Sequence, residues 1–440
     1  MRAAYSSVLA VTILASIAEA SRAAVHRHKH HRVARTTAKS PIPYSSVQLS
    51  PETIDLVDQV LSVAATHSWE IGTRETALLE LKSPKYFLYD SSSSIPPPAL
   101  TSSEDIDDIS ECFDSVDSVL AKKPAGIETF FKDGAVGDPA SVGIPFLIRI
   151  ATGGSSLSSN YSIATDQELN HLLNVQRENS TGAISQREPP EPVQIWADFV
   201  GMAPPFISYY GAINNNQSLV QLGYDQVADY RTLLLDSSVG LLQHIVLSGG
   251  SGTAAQDHGH WGTGNSWFVM GLLRVERIIA LSQYARQMAQ QRTTLLQWAL
   301  EITNAAWSYQ ANTGALYNYI DCVALGNANT TKCFEDSAGT ALMAANTFRL
   351  AQILYSDEAC TSTLDVGGKI LFPNLLAAER AREYIVNHVN TTTGIVWPIV
   401  NPLNWAVELA EGGTSPEGEA FVLLLQAAYQ DWWSLTKGRY

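Results

Sequence analysis

Apolar residues repeat with helical periodicity along the chain from about residue 50 onward. In SPETIDLVDQVLSVAATHSW, Ser50 is placed as the N-cap and Pro51 at the first helical position, and apolar residues follow on one face. Few segments show the period of two that is typical of strands. The pattern predicts about twelve helices, the others near residues 75–81, 106–120, 140–150, 167–175, 198–210, 219–235, 264–281, 288–309, 335–354, 377–388 and 417–433.

Four connections between these helices share a polar turn that ends in glycine, at Gly182, Gly240, Gly314 and Gly394. Glycine adopts the left-handed conformation that ends a helix at little steric cost. Repeated helical hairpins of this kind predict an all-α fold, a closed (α/α)6 barrel of alternating outer and inner helices.

The second helices of the hairpins would all start at the same end of such a barrel. Their first residues should therefore converge on one mouth, where aromatic faces can stack on sugar rings and polar groups can bind hydroxyls. The converging residues are Trp196, Asp198, His260, Trp261, Thr263, Asn265, Trp267, Glu335, Ser337, Glu417 and Glu419.

The composition fits a large folded domain and excludes several classes of protein. Of the 440 residues, 45% are hydrophobic and 16% are charged, which allows an extensive core. The net charge of −15 and the absence of Lys/Arg clusters from the body of the chain argue against nucleic-acid binding. No segment after the first twenty residues is apolar enough to cross a membrane.

The N-terminal residues indicate export. Residues 1–20 carry Arg2, an apolar run and an Ala-x-Ala site ending at Ala20, which is typical of a secretory signal. Residues 21–49, which include VHRHKHHRVAR, are interpreted as a basic His-rich tail and linker, with metal binding as a minor alternative. We expect a secreted protein with one catalytic domain over residues 50–440.

Cysteines and glycosylation sequons fit the same compartment. Four cysteines allow three pairings, of which Cys322 with Cys333 is preferred, leaving Cys112 and Cys360 to pair or to stay reduced. Asn-x-Ser/Thr sequons begin at Asn160, Asn179, Asn216, Asn329 and Asn390.

Asp198 is the leading catalytic candidate. In IWADFVGMAPPF it is the one charged residue among apolar neighbours. A buried and unpaired carboxylate costs several kcal/mol, so the residue should be paired, neutral or functional. The structural alternative is an acid that binds the free N–H groups at a helix start. The neighbouring Trp196 and the barrel context favour catalysis.

Other sequence patterns exclude competing chemistries. His258 and His260 lack a metal-ligand spacing, and HWGTGNSW lacks the lysine of a phosphate loop. No G-x-S-x-G motif supports a serine hydrolase. We therefore expect neither a metal nor another cofactor.

Several segments resemble glycoside hydrolase family 105, the unsaturated rhamnogalacturonyl hydrolases, and the related unsaturated glucuronyl hydrolases of family 88. The most specific are QIWADFVGMAPPFISYYG and HWGTGNSWFVMGLLRVERI. SWEIGTRETALLEL, GDPASVG, DSSVGLLQH, FEDSAGTALMA and SPEGEAFVLLLQAA follow the family's order. The resemblance covers nearly the whole chain after about residue 50.

The resemblance implies an (α/α)6 barrel that removes a 4,5-unsaturated uronic acid from oligosaccharides made by polysaccharide lyases. Asp198 would protonate C4 of the enol ether and then help water to add at C5. His244 matches a histidine that contacts substrate, and Asp138 matches a second acid near the reacting carbons. The sugar subsite would be lined by Trp196, Trp261, Thr263, Asn265 and Trp267.

The chain departs from the family pattern at two places. Thr263 stands where the family commonly has arginine, and threonine cannot make a bidentate, charge-assisted bond to a carboxylate. The Trp-Asp that often follows the family histidine is replaced by IVLSGGSGTAAQD. A different unsaturated uronide, a neutral sugar and loss of activity all fit these departures.

The sequence therefore predicts a secreted glycoside hydrolase acting on unsaturated uronyl oligosaccharides from pectin or another cell-wall polymer. Its expected partner is the oligosaccharide alone, with no nucleic acid and no membrane, and we expect a monomer. Two alternatives remain: a non-catalytic carbohydrate-binding protein on the same barrel, and a polysaccharide lyase.

Overall fold

The helices of the chain pair into antiparallel hairpins arranged around a common axis. The computed structural model describes residues 47–153, 157–247, 256–356 and 371–436. The predicted signal, most of the basic tail, and Cys360 lie outside these residues.

Six inner helices form a closed ring within the described part of the chain, each packing against the next and the last against the first. They are α2 (Ser68–Lys82), α5 (Gly143–Gly153, preceded by the short α4, Gly137–Ala140), α7 (Phe199–Ile213), α9 (Gly262–Leu281), α11 (Ser337–Ser356) and α13 (Pro416–Thr436). Helices α9 and α11 are buried along nearly their whole length, as expected for helices with neighbours on all sides.

Six outer helices cover the ring. They are α1 (Pro51–Ala64), α3 (Ser103–Lys122), α6 (Asn160–Asn174), α8 (Gln217–Leu234), α10 (Ala289–Trp307) and α12 (Leu371–His388). The predicted start of α1 is confirmed, because the Ser50 side chain accepts a hydrogen bond from the Thr53 amide and Pro51 occupies the first turn. The alternation of outer and inner helices confirms the predicted (α/α)6 barrel.

The four recurrent glycines adopt the predicted left-handed conformation, with φ between 75° and 105°. They do not end helices, however. Each lies in a tight turn that returns the chain after an outer helix, as where Gly240 separates strands β2 (Leu235–Asp236) and β3 (Leu241–Leu242). The positive φ serves the turn, a role that glycine also fills without steric cost.

Short antiparallel strand pairs lie in the loops before the inner helices. Besides β2 and β3, the strands are β1 (Gln194–Trp196), β4 (Ile245–Leu247), β5 (Leu316–Tyr317), β6 (Glu335–Asp336), β7 (Val400–Asn401) and β8 (Asn404–Glu408). One predicted disulfide is confirmed: Cys322 is bonded to Cys333, with their Cα atoms 5.8 Å apart. No helix among the described residues is long and apolar enough to span a membrane.

Inner helices α7 and α9 approach each other closely because glycines face the contact. A side chain at Gly271 would collide with the backbone carbonyl of Val200, and one at Gly201 would collide with the ring of Trp267. Helix α7 also continues through Pro204 and Pro205. This packing fixes the start of α7, where Asp198 lies.

Candidate active site

A strand pairing places Asp198 beside His244. Strand β1 pairs with β4 in antiparallel register, with Trp196 opposite Ile245. The amide of Ala197 then donates a 2.9 Å hydrogen bond to the His244 carbonyl. Two segments that are separate in sequence therefore meet at the start of helix α7.

The carboxylate of Asp198 does not cap the helix at whose start it lies. Its backbone is already helical, and its side chain accepts no capping hydrogen bond. The residue is only 9% exposed, and within the described residues Oδ2 has no hydrogen-bond partner. The Nε2 atom of His244 lies 3.5 Å away. The structural alternative of a helix-start acid satisfied by backbone N–H groups is therefore not what the geometry shows.

His244 is buried and bonded to a second carboxylate. Its Nδ1 lies 3.0 Å from Oδ2 of Asp257, which also accepts a 2.5 Å hydrogen bond from the Tyr319 hydroxyl. Burial acts to lower the pKa of His244, but the neighbouring carboxylates of Asp198 and Asp257 raise the pKa above the usual value. Burial acts to raise the pKa of Asp257, but the bonds from His244 and Tyr319 lower it to about 2. The pair therefore favours a protonated imidazole next to an ionised carboxylate.

Asp138 supplies a further carboxyl group, whose pKa is raised where that of Asp257 is lowered. It lies on the short helix α4, and its Oδ1 accepts a 2.6 Å hydrogen bond from Gln186. Burial and the charge of Asp133 raise the pKa of Asp138 to about 7, although the bond from Gln186 opposes this change; the charge of Asp198 adds to it. Near neutral pH this group can therefore either donate or accept a proton.

These groups face a cavity of about 220 Å³. Asp198, His244 and Asp138 all line it. Four tryptophans line it as well: Trp69, Trp196, Trp261 and Trp405. Aromatic faces around a few polar groups are the arrangement that sugar-binding clefts use.

Glu417 is a further acid at this cavity. Its Oε2 accepts a 3.1 Å hydrogen bond from the indole of Trp69, while Oε1 is buried with no partner among the described residues. Burial, and then the charge of Asp198, raise the pKa of Glu417 well above the usual value. Burial therefore favours the protonated form of Glu417, which can donate a hydrogen bond.

Three predicted subsite residues do not reach the cavity, which corrects the sequence-based expectation. Thr263 is fully buried and donates to Asp336, 3.4 Å away. Asn265 is fully buried and bonded to the backbone of Leu242, through which it joins β3 to α9. Trp267 packs in the core against Phe421. All three lie on helix α9, which is buried along nearly its whole length, including its first turn.

Of the other residues predicted to converge at the starts of the inner helices, some line the cavity and some do not. Trp196, Asp198, Trp261 and Glu417 come together at the cavity, as expected of inner-helix starts. His260, Glu335, Ser337 and Glu419 do not line it. His260 instead bonds Asp321 through Nδ1, 2.7 Å away.

The sequence analysis missed Asp257, Arg187 and Trp405. Asp257 ends IVLSGGSGTAAQD, the segment that replaces the family's Trp-Asp, and returns beside β4 through an antiparallel bridge with Ile245. An acid at the end of that segment was a usable signal, because a buried histidine needs a partner. Arg187 lies in a loop and Trp405 on the short strand β8, where no periodicity marks them.

The comparisons with known proteins agree with this picture. Residues 145–347 match the family described as Glycosyl Hydrolase Family 88. A search of curated proteins gave no match.

Three solved structures illustrate the shared fold. A possible member of the GH105 family from Salmonella enterica serovar Paratyphi A is 14% identical, with a TM-score of 0.63 over 89% of this chain and 97% of that one. A family 105 glycoside hydrolase from C. acetobutylicum is 14% identical, with a TM-score of 0.61 over 86% and 99%. The unsaturated glucuronyl hydrolase from Bacillus sp. GL1 is 12% identical, with a TM-score of 0.57 over 88% and 96%.

Fold and cavity together define the class: the chain has the six-hairpin architecture of these glycosidases. The family match over residues 145–347 then confirms the resemblance predicted from the motifs: this region is similar to Glycosyl Hydrolase Family 88, and the chain shares its fold with members of families 88 and 105.

Proposed function

We propose that the chain removes a 4,5-unsaturated uronic acid from the non-reducing end of oligosaccharides that lyases release from pectin or another cell-wall polymer. The observation that carries this proposal is the Asp198 carboxylate, which lines the cavity, accepts no capping hydrogen bond from the helix that it begins, and contacts His244 through Oδ2. A group that must transfer a proton to carbon has to lie at the cavity without being held by structural hydrogen bonds, since a structural carboxylate would have its lone pairs occupied.

The reaction is hydration of an enol ether. The Asp198 carboxyl gives its proton to C4, and the double-bond electrons form the new C–H bond, leaving positive charge shared by C5 and the ring oxygen. A water molecule adds its oxygen to C5 and returns a proton to the Asp198 carboxylate. The resulting hemiketal opens by breaking the bond between C5 and the ring oxygen, which leaves a ketone at C5 and a hemiacetal at C1. The hemiacetal becomes an aldehyde as the bond from C1 to the remaining sugar breaks, and its hydroxyl proton passes to the oxygen of the departing sugar. One carboxyl group serves as acid and then as base, so no second flanking nucleophile is required.

His244 and Asp138 have supporting roles in this scheme. The imidazole of His244, whose pKa is raised, lies 3.5 Å from Asp198, and in its protonated form it stabilises the carboxylate that exists after proton transfer. Asp138, whose pKa is raised to about 7, is placed to orient the attacking water. The tryptophans offer apolar faces for the sugar rings.

Secretion is also part of the proposal. The Cys322–Cys333 disulfide supports it, as do the sequon asparagines, which are all exposed: Asn160, Asn179, Asn216, Asn329 and Asn390.

The test is an assay with a lyase-generated unsaturated galacturonyl-rhamnose disaccharide. The ultraviolet absorbance of the 4,5 double bond should fall in the presence of the protein, while the saturated disaccharide should stay intact. Constant absorbance with a bound disaccharide would instead indicate a non-catalytic binding protein. A rise in absorbance with intact polymer would indicate a lyase.

A further inference from the structure

Acidic side chains outnumber cationic side chains in the lining of the cavity. Asp133, Asp138, Asp198 and Glu417 are acids, and besides two histidines the one cationic side chain among its described lining residues is Arg187. A substrate that carries a carboxylate would be repelled by ionised acids unless a cation is placed to receive it.

Arg187 is held in place without being neutralised. Its guanidinium lies 4.9 Å from the centre of the Trp196 ring, in a cation–π contact. Within the described residues it forms no ion pair with a carboxylate at 4.0 Å or less. Its planar, five-donor group is therefore available for a bidentate bond.

The backbone around Arg187 is firmly anchored. Its carbonyl accepts 2.8 Å hydrogen bonds from the side chains of Gln176 and Ser185, and its amide donates to the Ser185 hydroxyl. The residue also forms an antiparallel bridge with Ala135. An anchored and stacked arginine loses little freedom on binding, which favours recognition of a fixed anionic group.

The neighbours of Arg187 are the reacting groups. Trp196, on which it stacks, lies two residues before Asp198, and its ring centre is 5.6 Å from that of His244. The adjacent residue, Gln186, bonds Asp138. In a 4,5-unsaturated uronic acid the carboxylate is attached to C5, next to the carbon that Asp198 protonates, so the cation and the acid must share one small site.

We infer that Arg187 binds the carboxylate of the unsaturated uronic acid and makes the enzyme specific for the free acid. This inference rests on the proposed function. It also accounts for the departure at Thr263: that side chain is buried against Asp336, and Arg187 supplies from a loop the bidentate bond that threonine cannot make.

The experiment compares the free acid with its methyl ester, which has the same shape without the charge. The unsaturated galacturonyl-rhamnose disaccharide is offered in both forms to the wild type, to Arg187→Gln and to Arg187→Lys. We expect Arg187→Gln to lose about 10- to 100-fold in kcat/KM on the acid, mainly through KM, and to change less than about twofold on the ester. Arg187→Lys should recover part of the loss. Arg286→Gln, an exposed arginine beyond the far end of α9, is the matched control.

An equal loss on acid and ester, or no loss on the acid, would overturn the inference while leaving the hydrolase proposal intact. If the wild type hydrolyses neither form, the proposed function is wrong. The role of Arg187 can then still be tested by measuring binding. Titration calorimetry with the saturated acid and its methyl ester should then show that the wild type prefers the acid and that Arg187→Gln does not. Equal affinity of the wild type for both would contradict the role of Arg187.

Discussion

The Nε2 atom of His244 lies 3.5 Å from Oδ2 of Asp198, and this contact connects the catalytic candidate to a hydrogen-bond chain. On the other side of the imidazole, Asp257 receives hydrogen bonds from both His244 and Tyr319. The chain fixes the orientation of the ring and its charge. The activity of Asp198 should therefore depend on residues that do not touch the substrate.

Replacement of Asp257 tests this dependence. Asp257→Asn removes the negative charge that helps to raise the pKa of His244, so the imidazole should lose its proton at lower pH. We expect kcat to fall about 10- to 100-fold at neutral pH, with KM changed little, because a charged hydrogen bond is lost. In a plot of kcat against pH, the decrease on the alkaline side should therefore occur at lower pH than in the wild type.

Tyr319→Phe is the matched control for that variant. It removes the other hydrogen bond to Asp257 and leaves the charge in place. We expect a loss of less than about tenfold and a much smaller shift of the profile. Equal effects of the two variants, or an unshifted profile for Asp257→Asn, would show that Asp257 serves the fold alone.

Buried carboxyl groups should make the protein less stable as the pH rises. Burial raises the pKa of Glu168 and of Glu419 to about 8. Below about pH 4 each group is protonated in both folded and unfolded chains, and between about pH 4 and 8 only the folded chain keeps the proton. The free energy of unfolding should therefore fall across this range, since unfolding releases these protons.

Glu168→Gln gives a direct measurement of that effect. The substitution should reduce by about one the number of protons released per molecule on unfolding near pH 6, as obtained from the slope of unfolding free energy against pH. Glu104→Gln, at an exposed position on α3, should leave the slope unchanged. A slope that is the same for Glu168→Gln and the wild type would contradict a buried, protonated Glu168.

The close approach of α7 and α9 makes a prediction about stability. Gly271→Ala places a methyl group against the carbonyl of Val200, so the two helices must separate. We expect the free energy of unfolding to fall by about 1–3 kcal/mol. Activity should fall as well, because Asp198 lies at the start of α7.

Gly153→Ala is the comparison for Gly271→Ala. Its new methyl group would meet only the side chain of Leu157, at 3.1 Å or more, so the neighbour can move. Urea titration should give a clearly lower free energy of unfolding for Gly271→Ala than for Gly153→Ala. Equal stability of Gly271→Ala and the wild type would show that the contact is not as tight as described.

The sequence was a good guide to helices and to local roles. Periodicity and the cap at Ser50 located the helices of the barrel, because outer helices such as α1 are apolar on one face and inner helices such as α7 on nearly all sides. Helices α2, α6 and α12 begin earlier than predicted, and the first turns of α2 and α6 are rich in polar residues. Asp198 was found because an isolated acid in an apolar segment is costly unless it has a role.

What the sequence missed depends on contacts between distant segments. The assignment of Thr263, Asn265 and Trp267 to the subsite assumed that a motif shares one surface, whereas the helix turns these side chains into the barrel. Asp257 reaches His244, and Arg187 reaches the cavity, through loop pairings that no local pattern encodes. Sequence reasoning therefore pointed to the proposed proton donor but not to the residues that we expect to orient it and to bind the carboxylate.

The central claim is that Asp198 is the acid that protonates C4, and Asp198→Asn tests it most directly. The variant keeps the shape of the side chain and should bind the unsaturated galacturonyl-rhamnose disaccharide with near-normal affinity. Its rate of absorbance loss should be lower than that of the wild type by about 100- to 10,000-fold, while Asp107→Asn, at an exposed position on α3, should keep the normal rate. Turnover by Asp198→Asn within about tenfold of the wild type would contradict the account, because the proton would then come from another group.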